Sequence, residues 1–137
     1  MKVAIASKQE MIDFFQLYAE NTALIEIVND GKSAAEFYGG HYARKLTLSF
    51  SDGIEATAPK SFKPEQAQRI VEFIQSLEDH IDKVIVSCTL GQSRSAGIAA
   101  ALITYYGEND QRIWSDPNFS PNPLCYRLLQ EAFSLAP

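Results

Sequence analysis

The chain has 137 residues, 46% of them hydrophobic and 21% charged, which suits a single folded domain over 1–137 and excludes disorder as its default state. Twelve Lys+Arg against seventeen Asp+Glu give a net charge of −5 with no polybasic run, so duplex nucleic acid and anionic membranes are poor partners for this surface. Two cysteines, Cys88 and Cys125, are too few for a disulfide framework, and with His41 and His80 isolated no metal site is expected.

Strand and helix signals alternate along the chain. Val3–Ala6 reads as a short strand, and Ser7-Lys8-Gln9-Glu10 has the spacing of a capping box. Met11, Phe14, Phe15, Leu17 and Tyr18 follow at helical spacing, which predicts a helix ending near Asn21. A second strand covers Ala23–Val28 and stops at Asn29-Asp30-Gly31. The segment 32–43 is ambiguous, with Gly39-Gly40 favouring a loop. Leu46–Phe50 alternates as a half-buried strand ending in Ser51-Asp52-Gly53. A loop leads from there to Pro64, which opens a helix whose apolar face is Ile70, Val71, Phe73, Ile74 and Leu77. Val84–Val86 reads as a fully buried strand, and Arg94–Tyr106 as a helix rich in small residues, able to pack close to a sheet. After the stretch from Asp116 to Asn122, a last helix starts with Asn122 as its cap and Pro123 at its first position, with Leu124, Leu128, Leu129, Ala132 and Phe133 facing inward.

Strands separated by helical segments imply an α/β fold with a mainly parallel central sheet flanked by helices. Ligands bind such sheets beyond the carboxyl ends of the strands. Asn29-Asp30, Asp52 and Cys88 are expected at that edge, with Asp52 and Cys88 on the same side.

The chemistry concentrates after the fourth strand, in Ser87-Cys88-Thr89-Leu90-Gly91-Gln92-Ser93-Arg94-Ser95. Strand, glycine-containing loop and helix N-terminus in that order make an anion cradle from the backbone N–H groups of Thr89, Leu90, Gly91, Gln92, Ser93 and Arg94. Arg94 adds a planar two-pronged donor for phosphate oxygens. Such a cradle favours the thiolate of a cysteine, the form that attacks phosphorus. Arg94 at a helix start is otherwise unfavourable, and an anion would compensate it.

The run Cys-x2-Gly-x-Ser-Arg-Ser resembles the signature loop of the cysteine-dependent protein tyrosine and dual-specificity phosphatases, and Leu46–Tyr106 with the Asn-Pro helix start is similar to small prokaryotic proteins of that superfamily. The resemblance implies Cys88 as nucleophile, Arg94 as phosphate clamp and Ser95 as the hydroxyl that supports the departing thiolate. It implies Asp52, on the loop after the preceding strand, as general acid, with Asp30 and Glu55 as weaker candidates. The Ser and Gly flanking Asp52 suggest a loop able to move. Ser87 departs from the family pattern, which has histidine there to orient the loop and keep the cysteine ionised.

The implied function is hydrolysis of a phosphorylated protein or a small phosphoester by a cytoplasmic monomer without metal or organic cofactor. Phosphotyrosine or another aryl phosphate is favoured if the cleft is deep. One alternative is a catalytically silent phosphate-binding domain, which Ser87 favours and Asp52 opposes. Others are a rhodanese- or arsenate-reductase-like thiolate enzyme, for which only Cys125 is available as resolving cysteine, and a structural protein. Elsewhere Cys125 is expected in the core, His41 and His80 at the surface, Trp114 under the long loop, and the acidic residues at 65, 72, 78, 79 and 82 on a solvated face.

Overall fold

The computed structural model describes residues 1–14, 18–29 and 41–136. Strands β1 (Lys2–Ser7), β2 (Tyr18–Val28), β3 (His41–Ser49) and β4 (Lys83–Cys88) form one sheet in the order β1-β4-β2-β3, and every neighbouring pair is parallel. The helices are α1 (Lys8–Phe14), α2 (Pro64–Gln75), α3 (Arg94–Tyr105), the short α4 (Gln111–Trp114) and α5 (Pro123–Leu135). This is the expected α/β architecture with a parallel sheet between helices.

Strand alternation divides the apolar residues between two faces. Val3, Ala23, Ile25, Ile27, Leu48, Val84, Val86 and Cys88 join the main core, which also takes the inward residues of α2, α3 and α5. Ala6, Leu24 and Ile85 face the other way, onto Met11 of α1. Small residues let α3 sit deep, and Ala96–Ile103 is wholly buried. At Gly97 a Cβ would lie 2.6 Å from the Asn122 carbonyl oxygen, so only glycine lets α3 approach the start of α5 this closely.

The capping box at Ser7 forms as the spacing predicts. Ser7 Oγ accepts from the Glu10 N–H at 3.0 Å, and Glu10 Oε1 accepts from the Ser7 N–H at 3.0 Å. The helix it opens is shorter than expected, however, and Tyr18 through Asn21 belong to β2 instead. Tyr18 and Ala19 pair with His41 and Tyr42, and Thr22 pairs with Lys83, with a register shift between Ala19 and Ala23. Backbone pairing on two sides of β2 outweighs the helical spacing of a few apolar residues. Gly39-Gly40 lies outside the described residues, while residues 41–43 begin β3.

Trp114 also departs from expectation. It is 39% exposed, its Nε1 donates to Asp110 Oδ2 at 3.1 Å, and its ring meets Tyr126 edge-on at 5.0 Å. The residue buried from that helix is its neighbour Ile113. Cys125 is fully buried as expected, and the acidic residues at 65, 72, 78, 79 and 82 are all exposed, as is His80. The His41 side chain lies outside the described part. No helix among the described residues is long and apolar enough to cross a membrane.

Because all four strands run the same way, their carboxyl ends share one edge. Ser7, Asn29, Phe50 and Cys88 are brought there by β1, β2, β3 and β4 respectively, and β4 stands between β1 and β2.

Candidate active site

β4 is buried from Val84 to Cys88, and the chain leaves the sheet at Thr89. Three carbonyls of the following loop are tied to its surroundings. Thr89 O accepts from Lys8 N at 3.3 Å, Gln92 O from Ser120 N at 2.8 Å, and Ser93 O from Asn122 N at 3.0 Å. With these carbonyls turned outward, the N–H groups of Leu90, Gly91, Gln92 and Ser93 donate to no acceptor among the described residues. Gly91 makes the bend at φ +67°, a backbone conformation that side chains with a Cβ disfavour. The result is a concavity of unengaged donors at the N-terminus of α3, an arrangement suited to anions.

Cys88 is 4% exposed, with Sγ 3.1 Å from Ser95 Oγ on the first turn of α3. The sulfur is therefore close to a hydroxyl that can donate to it. Arg94 is 7% exposed, and its guanidinium is fixed from the neighbouring strand ends. Nη1 donates to Asn29 Oδ1 at 2.7 Å and to the Phe50 carbonyl at 2.9 Å, while Nη2 reaches Thr89 Oγ1 at 3.5 Å. All three acceptors are neutral, so its positive charge is not cancelled by a carboxylate among the described residues.

Asp52 reaches the same loop. Its Oδ1 accepts from Ser93 Oγ at 2.7 Å and from Asn122 Nδ2 at 2.9 Å. Sequence position placed Asp52 at this edge, and the structure brings it to the cradle. The loop on which it sits is well braced, against the mobility its Ser and Gly neighbours suggest. Phe50 and Phe62 anchor its two ends in the core with ring centroids 4.7 Å apart. Ser51 N donates to Lys60 O at 2.7 Å, and Lys63 Nζ gathers the carbonyls of Ala56 and Ala58 with the Ser61 hydroxyl. Glu55 is exposed, with no side-chain bond to the cradle, and Asp30 lies outside the described residues.

Two serines flank this arrangement. The Ser93 hydroxyl turns to Asp52, leaving its backbone N–H for the anion. Ser87 is buried between Ala6 and Glu26 on the sheet face opposite Cys88. Cys125 is unsuited to resolving an oxidised Cys88, because burial, reinforced by the Asp52 charge, pushes its thiol up and keeps it protonated.

Asn29, the Phe50 carbonyl and the Asn122 amide escaped the sequence reading. Asn29 was expected at this edge but not as a partner of Arg94, and Asn122 only as a helix cap. A cleft of about 460 Å³ lined by Asn29, Ser49, Phe50, Ser51, Pro59 and Lys60 adjoins Arg94 through its partners Asn29 and Phe50. A larger hollow of about 920 Å³ touches Met1 through Ala4, Asp82 and Arg112, at the opposite strand ends from Cys88, and so has no part in this site.

No family model matches the sequence, and no curated protein matches it. Solved structures do. Tk-PTP in its active form is 17% identical, with a TM-score of 0.56 over 99% of this chain and 94% of that one. The P. aeruginosa protein TpbA, solved with pTyr, is 13% identical, with a TM-score of 0.53 over 98% of this chain and 87% of that one. PTPMT1, solved with PI(5)P, is 17% identical, with a TM-score of 0.51 over 97% of this chain and 90% of that one. The chain has the protein tyrosine phosphatase fold. In this phosphatase fold the loop from Cys88 to Arg94 leaves a central strand, and both neighbouring strand ends contribute to it.

Proposed function

We propose that the chain hydrolyses phosphomonoesters through a cysteinyl-phosphate intermediate. The observation that carries this reading is the cradle itself: Cys88 Sγ at its base and, among the described residues, unengaged N–H groups from Leu90 to Ser93 and an Arg94 guanidinium paired only with neutral groups. The equatorial oxygens of a bound phosphoryl group accept hydrogen bonds from those N–H groups and from Arg94, which stabilise the charge of transfer. The Cys88 thiolate attacks phosphorus, the S–P bond forms, and the ester oxygen leaves with a proton from Asp52. In the second step Asp52 takes a proton from water, which attacks phosphorus and releases phosphate. The Ser95 hydroxyl then donates to the returning thiolate. All the positive charge in this scheme comes from the chain itself, so it calls on no metal or organic cofactor.

TpbA was solved with pTyr and PTPMT1 with PI(5)P, so phosphoesters of different size are compatible with the fold. For this chain an aryl phosphate, such as phosphotyrosine, is the better fit. Leu90 on the cradle is 70% exposed and Ile54 lies just past Asp52, so both loops offer apolar surface at the level of the site.

Turnover of a generic aryl phosphate tests the reading. Asp52→Asn is expected to lose about 10²-fold in kcat. Wild-type kcat in Asp52→Asn removes Asp52 from the role. A second reading, a silent phosphate binder, rests on Ser87 in place of histidine. It predicts no wild-type turnover but orthovanadate binding that Arg94→Ala abolishes.

A further inference from the structure

Asn122 is 1% exposed and bonds three separate parts of the protein. Its Oδ1 accepts from the N–H groups of Leu124 and Cys125, at 2.9 and 3.1 Å, capping α5. Its backbone N–H donates to Ser93 O of the cradle at 3.0 Å. Its Nδ2 donates to Asp52 Oδ1 at 2.9 Å, Asp52 O at 3.2 Å and Gly53 O at 3.3 Å. The cap determines which way the amide faces. Two backbone donors occupy Oδ1, so the NH2 end must point to Asp52.

This contact has a chemical consequence at the carboxyl. Oδ1 of Asp52 already receives the Asn122 amide and the Ser93 hydroxyl, whereas Oδ2 has no partner among the described residues. An oxygen that accepts two hydrogen bonds is the wrong one to carry a proton, so a protonated Asp52 holds it on Oδ2. We propose that Asn122 is a positioning residue for the general acid: it fixes the Asp52 proton on Oδ2 and sets the acid loop in register with the phosphate cradle. The proposal rests on the phosphatase reading and names a residue that reading does not use.

Leaving-group dependence tests it, because only proton donation depends on how poor the leaving group is. Asn122→Asp keeps an acceptor for both α5 N–H groups and removes the amide donor. Asn122→Ser removes the donor while retaining a capping hydroxyl. Ser93→Ala deletes the other Oδ1 donor and leaves the cap untouched. Each is assayed on a series of phenyl phosphates, together with orthovanadate affinity and thermal unfolding. Both Asn122 variants are expected to lose about 10²-fold in kcat on unsubstituted phenyl phosphate and less than about threefold on dinitrophenyl phosphate. Vanadate affinity is expected to hold within about twofold, and Ser93→Ala to show the same pattern at smaller amplitude. Asp52→Asn sets the limit of the effect.

An equal loss on every substrate, or a loss of vanadate binding in folded protein, reduces Asn122 to a structural cap and overturns the proposal. Should neither Asn122 variant fold, a flat leaving-group response in Ser93→Ala overturns it. Wild type that turns over through Cys88 while the Asn122 variants match it refutes the positioning role alone. Wild type without turnover on any substrate refutes the phosphatase reading and the proposal together.

Discussion

Cys88→Ser is expected to lower hydrolysis of an aryl phosphate by on the order of 10⁴–10⁶-fold, the scale lost when a covalent nucleophile is removed. The substitution changes one atom in a site that otherwise stays intact. A serine Oγ is small enough for the buried position and can keep the contact with Ser95, which lies 3.1 Å from the sulfur. The loop N–H groups and the Arg94 guanidinium are untouched, so orthovanadate and phosphate binding are expected to persist within a few-fold. Rapid acid quench with radiolabelled substrate supplies the direct measurement. Wild type traps a phosphoprotein and Cys88→Ser traps none. Turnover surviving in Cys88→Ser would overturn the covalent route.

Gly91→Ala is expected to be the most damaging single methyl in the cradle. Gly91 has φ +67°, which costs an alanine about 1–2 kcal/mol. The added Cβ would also stand 2.7 Å from Ser7 N, 2.9 Å from Ala6 C and 3.0 Å from Ser7 Cα. These are backbone atoms of β1, held in register with β4 through the Ser7–Cys88 pair, and they cannot turn aside as a side-chain tip would. Overpacking of that kind adds about 1–3 kcal/mol, so a total near 2–5 kcal/mol should appear as a lower urea midpoint. Vanadate affinity is expected to fall with it, because the loop must shift. Gly107→Ala is the control. Gly107 has φ +79° with nothing within 4 Å of the added Cβ, so it bears the conformational cost alone. Equal losses in the two variants would show that packing against β1 contributes nothing.

Much of this was legible locally. The Ser7–Glu10 capping box, the buried strand before Cys88, the small-residue helix after it and the Asn122-Pro123 helix start all depend on residues a few positions apart, and all form as read. The boundary between α1 and β2 was not legible, because apolar spacing through Tyr18 suits a helix while pairing to β3 and β4 decides for strand. In the site, Cys88, Arg94 and Ser95 stand in one short run, and Asp52 follows from the strand order. Their supports do not. Asn29 meets Arg94 across 65 positions and Asn122 meets Asp52 across 70, and nothing near either asparagine in the chain marks such a partner. Trp114 was misjudged for the same reason, since its partner Tyr126 lies on another helix.

Those separations bear on how the protein comes into being. Arg94 is held from the end of β2, Asp52 by Asn122 at the start of α5, and the Gly91 bend rests on β1. No early stretch of the chain contains all of these contacts, because Asn122, which bonds Asp52, is the cap of α5. Contacts of such long range form late and slowly, after their loop-closure entropy has been met. A partly folded chain therefore carries Cys88 well before it carries the cradle, and the loop around Cys88 has all its supports only when the start of α5 docks.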